Sequence, residues 1–157
     1  MRPVVITAVI TICAPRPNVF QTATDMRAAD FVRPRFPLPG ISATDGGPWR
    51  RIGDRRHHVL TDESSVDEEL TAHARDEAFA YRVTGFEGVF GRIVSKATAE
   101  WRFDWRGPEL TQVEWTYSFS PRSEGGRVPL AIIAKLFWPG YLRAALRCVK
   151  EQAESQK

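Results

Sequence analysis

Several features that identify particular classes of protein are scarce in this sequence. Only two cysteines occur among its 157 residues, Cys13 and Cys148, too few for a disulfide framework or a zinc cluster. No run of ~18 apolar residues is present, so we expect no membrane-spanning helix and no stable membrane insertion. With 43% hydrophobic and 26% charged residues, the composition is typical of a globular protein rather than a disordered one. The length predicts one domain over residues 1–157.

Basic charge is modest and dispersed along the chain. The 22 Lys and Arg residues stand against 19 Asp and Glu residues, for a formal net charge of +3. The one basic run, Trp49–Arg56, is typical of a solvated loop, so we expect no nucleic-acid partner. The segment Val4–Ala14 is mostly β-branched, which favours a strand over the core of an export signal. We therefore expect a cytoplasmic protein whose cysteines are reduced and packed as small hydrophobic side chains.

Two segments alternate strictly between apolar and polar residues, which predicts strands with one dry face and one wet face. These segments are Ser95–Trp105 and Thr111–Ser120. Their apolar residues are Ala97, Ala99, Trp101, Phe103 and Trp105 in the first, and Val113, Trp115, Tyr117 and Phe119 in the second.

Five further strands and two short helices are predicted upstream of these segments. Asn18 and Asp25 are candidate N-caps for helices that end at Thr24 and about Phe31, and a proline-rich loop follows over Arg33–Pro48. Asp62-Glu63 is the turn of a predicted hairpin. The predicted strands are Val4–Cys13, Ile41–Thr44, Arg55–Thr61, Ser64–His73 and Phe79–Thr84.

The C-terminal region changes to helical spacing. We expect an amphipathic helix with Pro129 in its first turn, a kink or split near Trp138 at Pro139-Gly140, and frayed residues over Glu151–Lys157. Its predicted apolar face comprises Ile132, Ile133, Leu136, Phe137, Tyr141, Leu142, Ala145, Leu146 and Val149.

This order of elements predicts an α+β fold. A curved antiparallel sheet of about seven strands would wrap around the long C-terminal helix, with two short helices after the first strand. Because one helix cannot cover the whole apolar face of such a sheet, we expect a cavity between them. Apolar cavities with a few polar groups are the usual sites for small molecules.

The chain resembles the START-related helix-grip superfamily (SRPBCC), in its polyketide cyclase/dehydrase-like branch. The residues that carry the likeness are Ile10–Pro15 with Val19, Phe20 and Asp25, then Gly53–Leu60, Val66–Leu70 and Phe79–Val83, and finally Glu114–Tyr117 with the terminal helix. The resemblance implies a helix-grip fold over nearly the whole chain. It also implies binding of hydrophobic or aromatic molecules in the cavity, and some members of the superfamily cyclise polyketides.

Glu68 is the main candidate for chemistry. The alternation of Val66, Leu70 and Ala72 places it on the apolar face, where an unpaired carboxylate is costly. Arg56 and His58 on the neighbouring strand are its candidate partners. The three residues would orient a ligand or act as general acid and base, or they would form a purely structural ion pair. His57 and His58 face opposite ways, and with His73 on another strand we expect no metal site.

The remaining candidate ligand contacts are mainly aromatic. Tyr81 and Tyr117 would lend hydroxyls to a ligand or serve as core residues. Phe90 lies in the glycine-containing segment Phe86–Ile93, either a flexible lip at the cavity mouth or a packed plug, opposite the Pro34–Pro39 loop. The other predicted contacts, which would otherwise be simple core, are Ala99, Trp101, Phe103, Trp105, Trp115, Phe119, Ile133, Phe137 and Tyr141.

Two functions therefore stand as hypotheses. The first is binding of a hydrophobic, ring-containing small molecule or lipid in the cavity. The second is a polyketide cyclase or aromatase reaction run by the same polar residues. Neither needs a cofactor, and we expect a monomer or homodimer. An interaction domain of the co-chaperone kind is disfavoured, because the pattern assigns no large exposed apolar surface.

Overall fold

One seven-stranded antiparallel sheet makes up most of the fold. The computed structural model describes residues 1–156, and the strand order is β1-β7-β6-β5-β4-β3-β2. The elements are β1 (Val4–Ile12), α1 (Arg16–Asp25), α2 (Ala28–Phe31), β2 (Ile41–Asp45), β3 (Arg55–Leu60), β4 (Ser65–Ala74), β5 (Ala78–Thr84), α3 (Gly88–Ile93), β6 (Val94–Gly107), β7 (Leu110–Pro121) and α4 (Glu124–Ser155). The α+β helix-grip fold predicted from the sequence is confirmed.

The two alternating segments form the centre of the sheet. In β6, Trp101 and Phe103 are buried, and Trp101 lies opposite Trp115 of β7. Trp105 is the exception, because its side chain is 60% exposed. The register shifts between Trp105 and Gly107, where the hairpin runs past the core. The prediction that Trp105 belongs to the aromatic lining is therefore wrong.

Helix α4 is longer at both ends than predicted. The Ser123 hydroxyl accepts a hydrogen bond from the Gly126 amide and caps the helix there, so Pro129 lies inside the helix rather than in its first turn. The helix runs through Pro139 without a break. Its C-terminal turns are held to the start of the chain: Lys150 Nζ donates to the Thr11 carbonyl, 2.8 Å away. The predicted fraying is therefore wrong up to Ser155, and Lys157 lies outside the described residues.

The inner face of α4 packs on the sheet, but part of its predicted apolar face does not. Ile132 and Leu136 are 61% and 68% exposed. They lie on one stripe with Val128, roughly opposite the buried residues of the same turns. The buried residues of the helix are Leu130, Ala134, Trp138, Leu142, Ala145, Leu146, Val149 and Ala153.

The two short helices are present, but their predicted caps are wrong. Helix α1 begins after Pro15, because proline suits a helix start, and Asn18 therefore lies inside it. Asp25 ends α1, and its carboxylate accepts a hydrogen bond from Arg50 at 2.5 Å instead of capping α2.

The cysteines do not both pack as small hydrophobic residues. Cys13 is exposed just beyond β1, Cys148 is half-buried on α4, and both are free thiols. Within residues 1–156, no helix combines the length and the hydrophobicity needed to cross a bilayer.

Candidate functional site

A cavity of about 430 Å³ lies between the inner face of the sheet and α4, within the range that holds drug-sized ligands. The sheet contributes Phe79, Tyr81, Val83, Trp101, Trp115, Tyr117 and Phe119, and α4 contributes Ile133, Trp138, Tyr141 and Leu142. The mouth is lined by Pro37, Leu38 and Pro39 of the proline loop, by Val89 and Phe90 of α3, and by Asp62, Ser64 and Ser65 of the β3–β4 turn.

Closely packed aromatic rings, most of them stacked, form one wall of the cavity. The ring centroids of Trp101 and Trp115 are 4.4 Å apart, and those of Phe79 and Trp101 are 5.5 Å apart. Trp49 stacks on Tyr81 at 5.7 Å. Such contacts fix flat rings against each other. They give this wall an apolar, aromatic surface.

A buried histidine–carboxylate pair supplies the main polar contact. His58 Nε2 lies 2.7 Å from Glu68 Oε1, and the two side chains are 1% and 10% exposed. The Thr44 hydroxyl lies 2.8 Å from His58 Nδ1. Both ring nitrogens are therefore engaged, which fixes the plane of the imidazole. His57 faces outward and contacts Asp67, as the alternation of β3 predicts.

Arg56 does not hold Glu68, contrary to the sequence prediction. Its Nε and one terminal nitrogen donate to the carbonyls of Gly47 and Thr24, at 2.9 and 3.3 Å. Its guanidinium lies 4.0 Å from the ring centre of Trp49. Burial lowers the pKa of Arg56, and the nearby Glu68 charge opposes that shift. Arg56 therefore places a positive charge in the cavity wall, tied to the chain before β3.

All three tyrosines of the chain line the cavity: Tyr81, Tyr117 and Tyr141. Burial raises the pKa of each hydroxyl, and the Glu68 charge raises it further. The phenols therefore stay neutral and can donate hydrogen bonds. Tyr141 donates to the Pro39 carbonyl at 2.6 Å, which attaches the proline loop to α4.

Tyr81 and Tyr117 lie on either side of Ala99 in the sheet. Each is the register partner of Ala99, one on β5 and one on β7. Because the methyl side chain of Ala99 is short, it leaves room for both rings. Burial raises the pKa of both hydroxyls; their mutual interaction opposes part of the rise for Tyr81 and adds to it for Tyr117. The Trp101 indole nitrogen is buried beside them and has no hydrogen-bond partner among the described residues.

Eleven of the fifteen predicted ligand contacts line the cavity, and four do not: the exposed Trp105, Ala99, Phe103 and Phe137. Ala99 is covered by the two tyrosines. Phe103 is fully buried at one end of the sheet, where it packs on Phe20. Phe137 is half-buried against the core beside Trp138. The eleven residues are Arg56, His58, Glu68, Tyr81, Phe90, Trp101, Trp115, Tyr117, Phe119, Ile133 and Tyr141.

Two tryptophans of the cavity escaped the sequence analysis. Trp49 is 2% exposed although it begins the run expected to be solvated; the aromatic residue in an otherwise charged segment was the available signal. Trp138 stacks on Phe90 at 5.1 Å. Phe90 thus packs inward, as the plug interpretation expects, while Val89 beside it is 72% exposed at the mouth.

Comparison with known protein families shows which family the chain belongs to. Residues 3–154 match the family described as polyketide cyclase/dehydrase and lipid transport. The chain belongs to this family. The resemblance predicted from the sequence is thereby confirmed for the whole of the sheet and for nearly all of α4. Among the described residues, this member of the family has no cluster of three or more His, Cys, Asp and Glu side chains arranged to hold a metal ion.

Solved structures share the fold at low sequence identity. An aromatase/cyclase from Streptomyces sp. R1128 is 19% identical, with a TM-score of 0.70 over 96% of this chain and 93% of its own. A protein from Nitrosospira multiformis is 18% identical, with a TM-score of 0.68 over 98% and 99%. Norcoclaurine synthase from Thalictrum flavum, in complex with dopamine and hydroxybenzaldehyde, is 13% identical, with a TM-score of 0.65 over 98% and 87%. No curated protein matches the chain by sequence.

Proposed function

We propose that this protein binds a hydrophobic, ring-containing small molecule or lipid fragment in the cavity beneath α4. The observation that carries the proposal is the cavity itself, about 430 Å³ of space lined by aromatic rings. A core without a ligand role would be packed to near-crystalline density. Membership of a family described by cyclisation and lipid transport also supports it.

The polar groups of the cavity would orient the ligand. The neutral hydroxyls of Tyr81 and Tyr117 would donate to an oxygen acceptor such as a ketone. Glu68, held by His58 at 2.7 Å, would accept a hydrogen bond from a ligand hydroxyl. A flat ligand with oxygen atoms along one edge satisfies both, because its rings would lie on Trp101 and Trp115.

Fluorescence titration with N-phenyl-1-naphthylamine, a neutral ring-containing probe, tests the binding proposal. Val83 lines the cavity, so Val83→Trp would fill it, whereas the neighbouring Arg82 faces solvent and Arg82→Trp serves as the matched control. We expect Val83→Trp to weaken probe binding at least about tenfold, and Arg82→Trp to leave it unchanged. Equal binding by both folded variants would contradict the proposal.

A second function, cyclisation of a polyketide, is favoured by one observation: a buried carboxylate, an imidazole and phenols face the same cavity. Glu68 would remove a proton from a carbon next to a ketone, while Tyr81 donates to the developing enolate oxygen. The enolate carbon would then attack a second carbonyl, whose oxygen takes a proton, and loss of water would complete the ring. The chain supplies every group, so no cofactor is required.

Glu68→Gln separates the two functions. It keeps the shape of the side chain but removes the base, so a cyclase would lose turnover of a polyketide mimic while retaining probe binding. Glu69→Gln is the control, since Glu69 points outward and contacts Arg55 and Arg82. Full turnover by Glu68→Gln would exclude its role as base, and the absence of turnover in the wild type would leave binding as the function.

A cytoplasmic location and a monomeric or homodimeric state complete the proposal. Light scattering after gel filtration measures the oligomeric state.

A further inference from the structure

Four large apolar side chains on α4 and the proline loop are exposed, although the helical spacing predicted two of them, Ile132 and Leu136, to lie on the apolar face. Phe36 is 97% exposed on the proline loop. Val128, Ile132 and Leu136 are 64%, 61% and 68% exposed on α4. We call these four residues the rim patch. Scattered exposed hydrophobic residues need no explanation, but a contiguous set does.

Three residues of the rim patch are contiguous on α4, and Phe36 lies on a loop that approaches the same helix. Val128, Ile132 and Leu136 follow each other at intervals of four residues and form one stripe over two turns of α4. The proline loop lies against the same helix, because the Arg35 guanidinium is 3.2 Å from the position of a Cβ at Gly140, one turn beyond Leu136. Phe36 is the next residue of that loop.

The apex that carries Phe36 is held firmly. Backbone hydrogen bonds join Arg35 and Leu38 in both directions, at 2.9 and 2.8 Å, and close a tight turn. The Tyr141 hydroxyl attaches the end of the loop to α4 through the Pro39 carbonyl. Leu38 lines the cavity mouth from this turn. The exposed ring of Phe36 therefore projects from a fixed position on the rim of the cavity.

The segments that carry the rim patch have one sign of charge. Residues 31–44 and 125–150 contain no Asp or Glu. Their seven basic residues are Arg33, Arg35, Arg127, Lys135, Arg143, Arg147 and Lys150, of which Lys150 pairs with Glu154. The acidic residues of the mouth, Asp62 and Glu87, lie on the facing rim and accept hydrogen bonds from Ser64 and Ser65. The segments of the rim patch are therefore basic, whereas Asp62 and Glu87 give the lining of the cavity mouth its acidic groups.

We propose that the rim patch docks this protein on the surface of an anionic lipid bilayer. Phe36 and the α4 stripe insert between the headgroups, and the surrounding Arg and Lys side chains contact lipid phosphates. The docking is peripheral and uses the outer face of α4 together with the apex of the proline loop. A second copy of the chain fits less well, because a two-fold contact through this patch would bring two basic surfaces together.

Vesicle co-sedimentation tests the proposal. We expect wild-type protein to bind vesicles made of equal parts phosphatidylcholine and phosphatidylglycerol, and to bind phosphatidylcholine alone at least about tenfold more weakly. Phe36→Ser/Leu136→Ser should weaken binding to the anionic vesicles about tenfold, which corresponds to about 1.4 kcal/mol. The control is Ile52→Ser/Trp105→Ser, which removes two exposed apolar residues outside the patch and should bind as the wild type does.

Three results would overturn the docking proposal: no binding of wild-type protein to anionic vesicles, equal loss in both double variants, or a lipid-free dimer that Leu136→Ser dissociates. Each variant is first checked for wild-type circular dichroism and for wild-type binding of N-phenyl-1-naphthylamine. If the first double variant does not fold, Lys135→Gln/Arg143→Gln replaces it, with an expected loss of about fivefold for each charge removed. Probe binding without vesicle binding would reject docking while leaving the cavity function intact.

Discussion

Alkaline pH should destabilise this protein through its three tyrosines. Tyr81, Tyr117 and Tyr141 all face the cavity, and burial raises the pKa of each well above the usual value of 10.0. The folded protein therefore keeps three phenolic protons at a pH where the unfolded chain releases them. Their contribution to stability is complete below about pH 10 and is lost as the pH rises further.

The size of the effect follows from the difference in proton binding. At about pH 11, one pH unit above the pKa of an unfolded tyrosine, each buried phenol lowers the free energy of unfolding by about 1.4 kcal/mol. Three such residues give about 4 kcal/mol, a large part of the 5–15 kcal/mol typical of a domain. The loss should fall to about 3 kcal/mol in Tyr141→Phe, which retains only two of the phenols.

Urea unfolding at about pH 9 and about pH 11 measures this difference, and tyrosinate absorbance near 295 nm reports ionisation directly. We expect the folded protein to show no tyrosinate at about pH 11, and the signal to appear only on unfolding. If the three tyrosines ionise in the folded protein near pH 10, the tyrosines are not desolvated and our description of the cavity wall is wrong.

Three further predictions concern the fold. Arg56→Met should lower the free energy of unfolding by about 2–3 kcal/mol, because it removes hydrogen bonds to two carbonyls and the contact with Trp49. The control is Arg55→Met at the exposed neighbouring position, which should change the free energy of unfolding by less than about 0.5 kcal/mol. Ser123→Ala removes the cap of α4 and should cost about 1 kcal/mol. Leu146→Ala, at a fully buried position, should cost about 2–5 kcal/mol. Urea titration measures all three, and an Arg55→Met effect as large as that of Arg56→Met would refute the first.

The sheet was predictable because its signal is local. The alternation of apolar and polar residues along β6 and β7 predicts which face of the sheet is buried. Asp62-Glu63 predicts the turn between β3 and β4. The inward position of Glu68 follows from the same alternation. Alternation does not indicate which partner a buried side chain contacts. The sequence therefore offers both Arg56 and His58 as partners of Glu68, and only His58 forms a hydrogen bond with it.

The unpredicted features depend on contacts between distant parts of the chain. The end of α4 is held by a hydrogen bond from Lys150 to the carbonyl of Thr11, a contact that no pattern within the helix reveals. Trp49 is buried because the loop before β3 folds back onto Tyr81. Ala99 shapes the site through the tyrosines on either side of it, a relation that requires the register of three strands.

The location of a bound ligand is the most direct test of the account. Isotope-filtered NMR spectra of the ¹³C-labelled protein with N-phenyl-1-naphthylamine would show which side chains contact the probe. We predict nuclear Overhauser effects from the naphthyl protons to Trp101, Tyr117 and Ile133. Effects confined to exposed side chains such as Leu136, with none to the interior, would contradict the existence of an internal binding site.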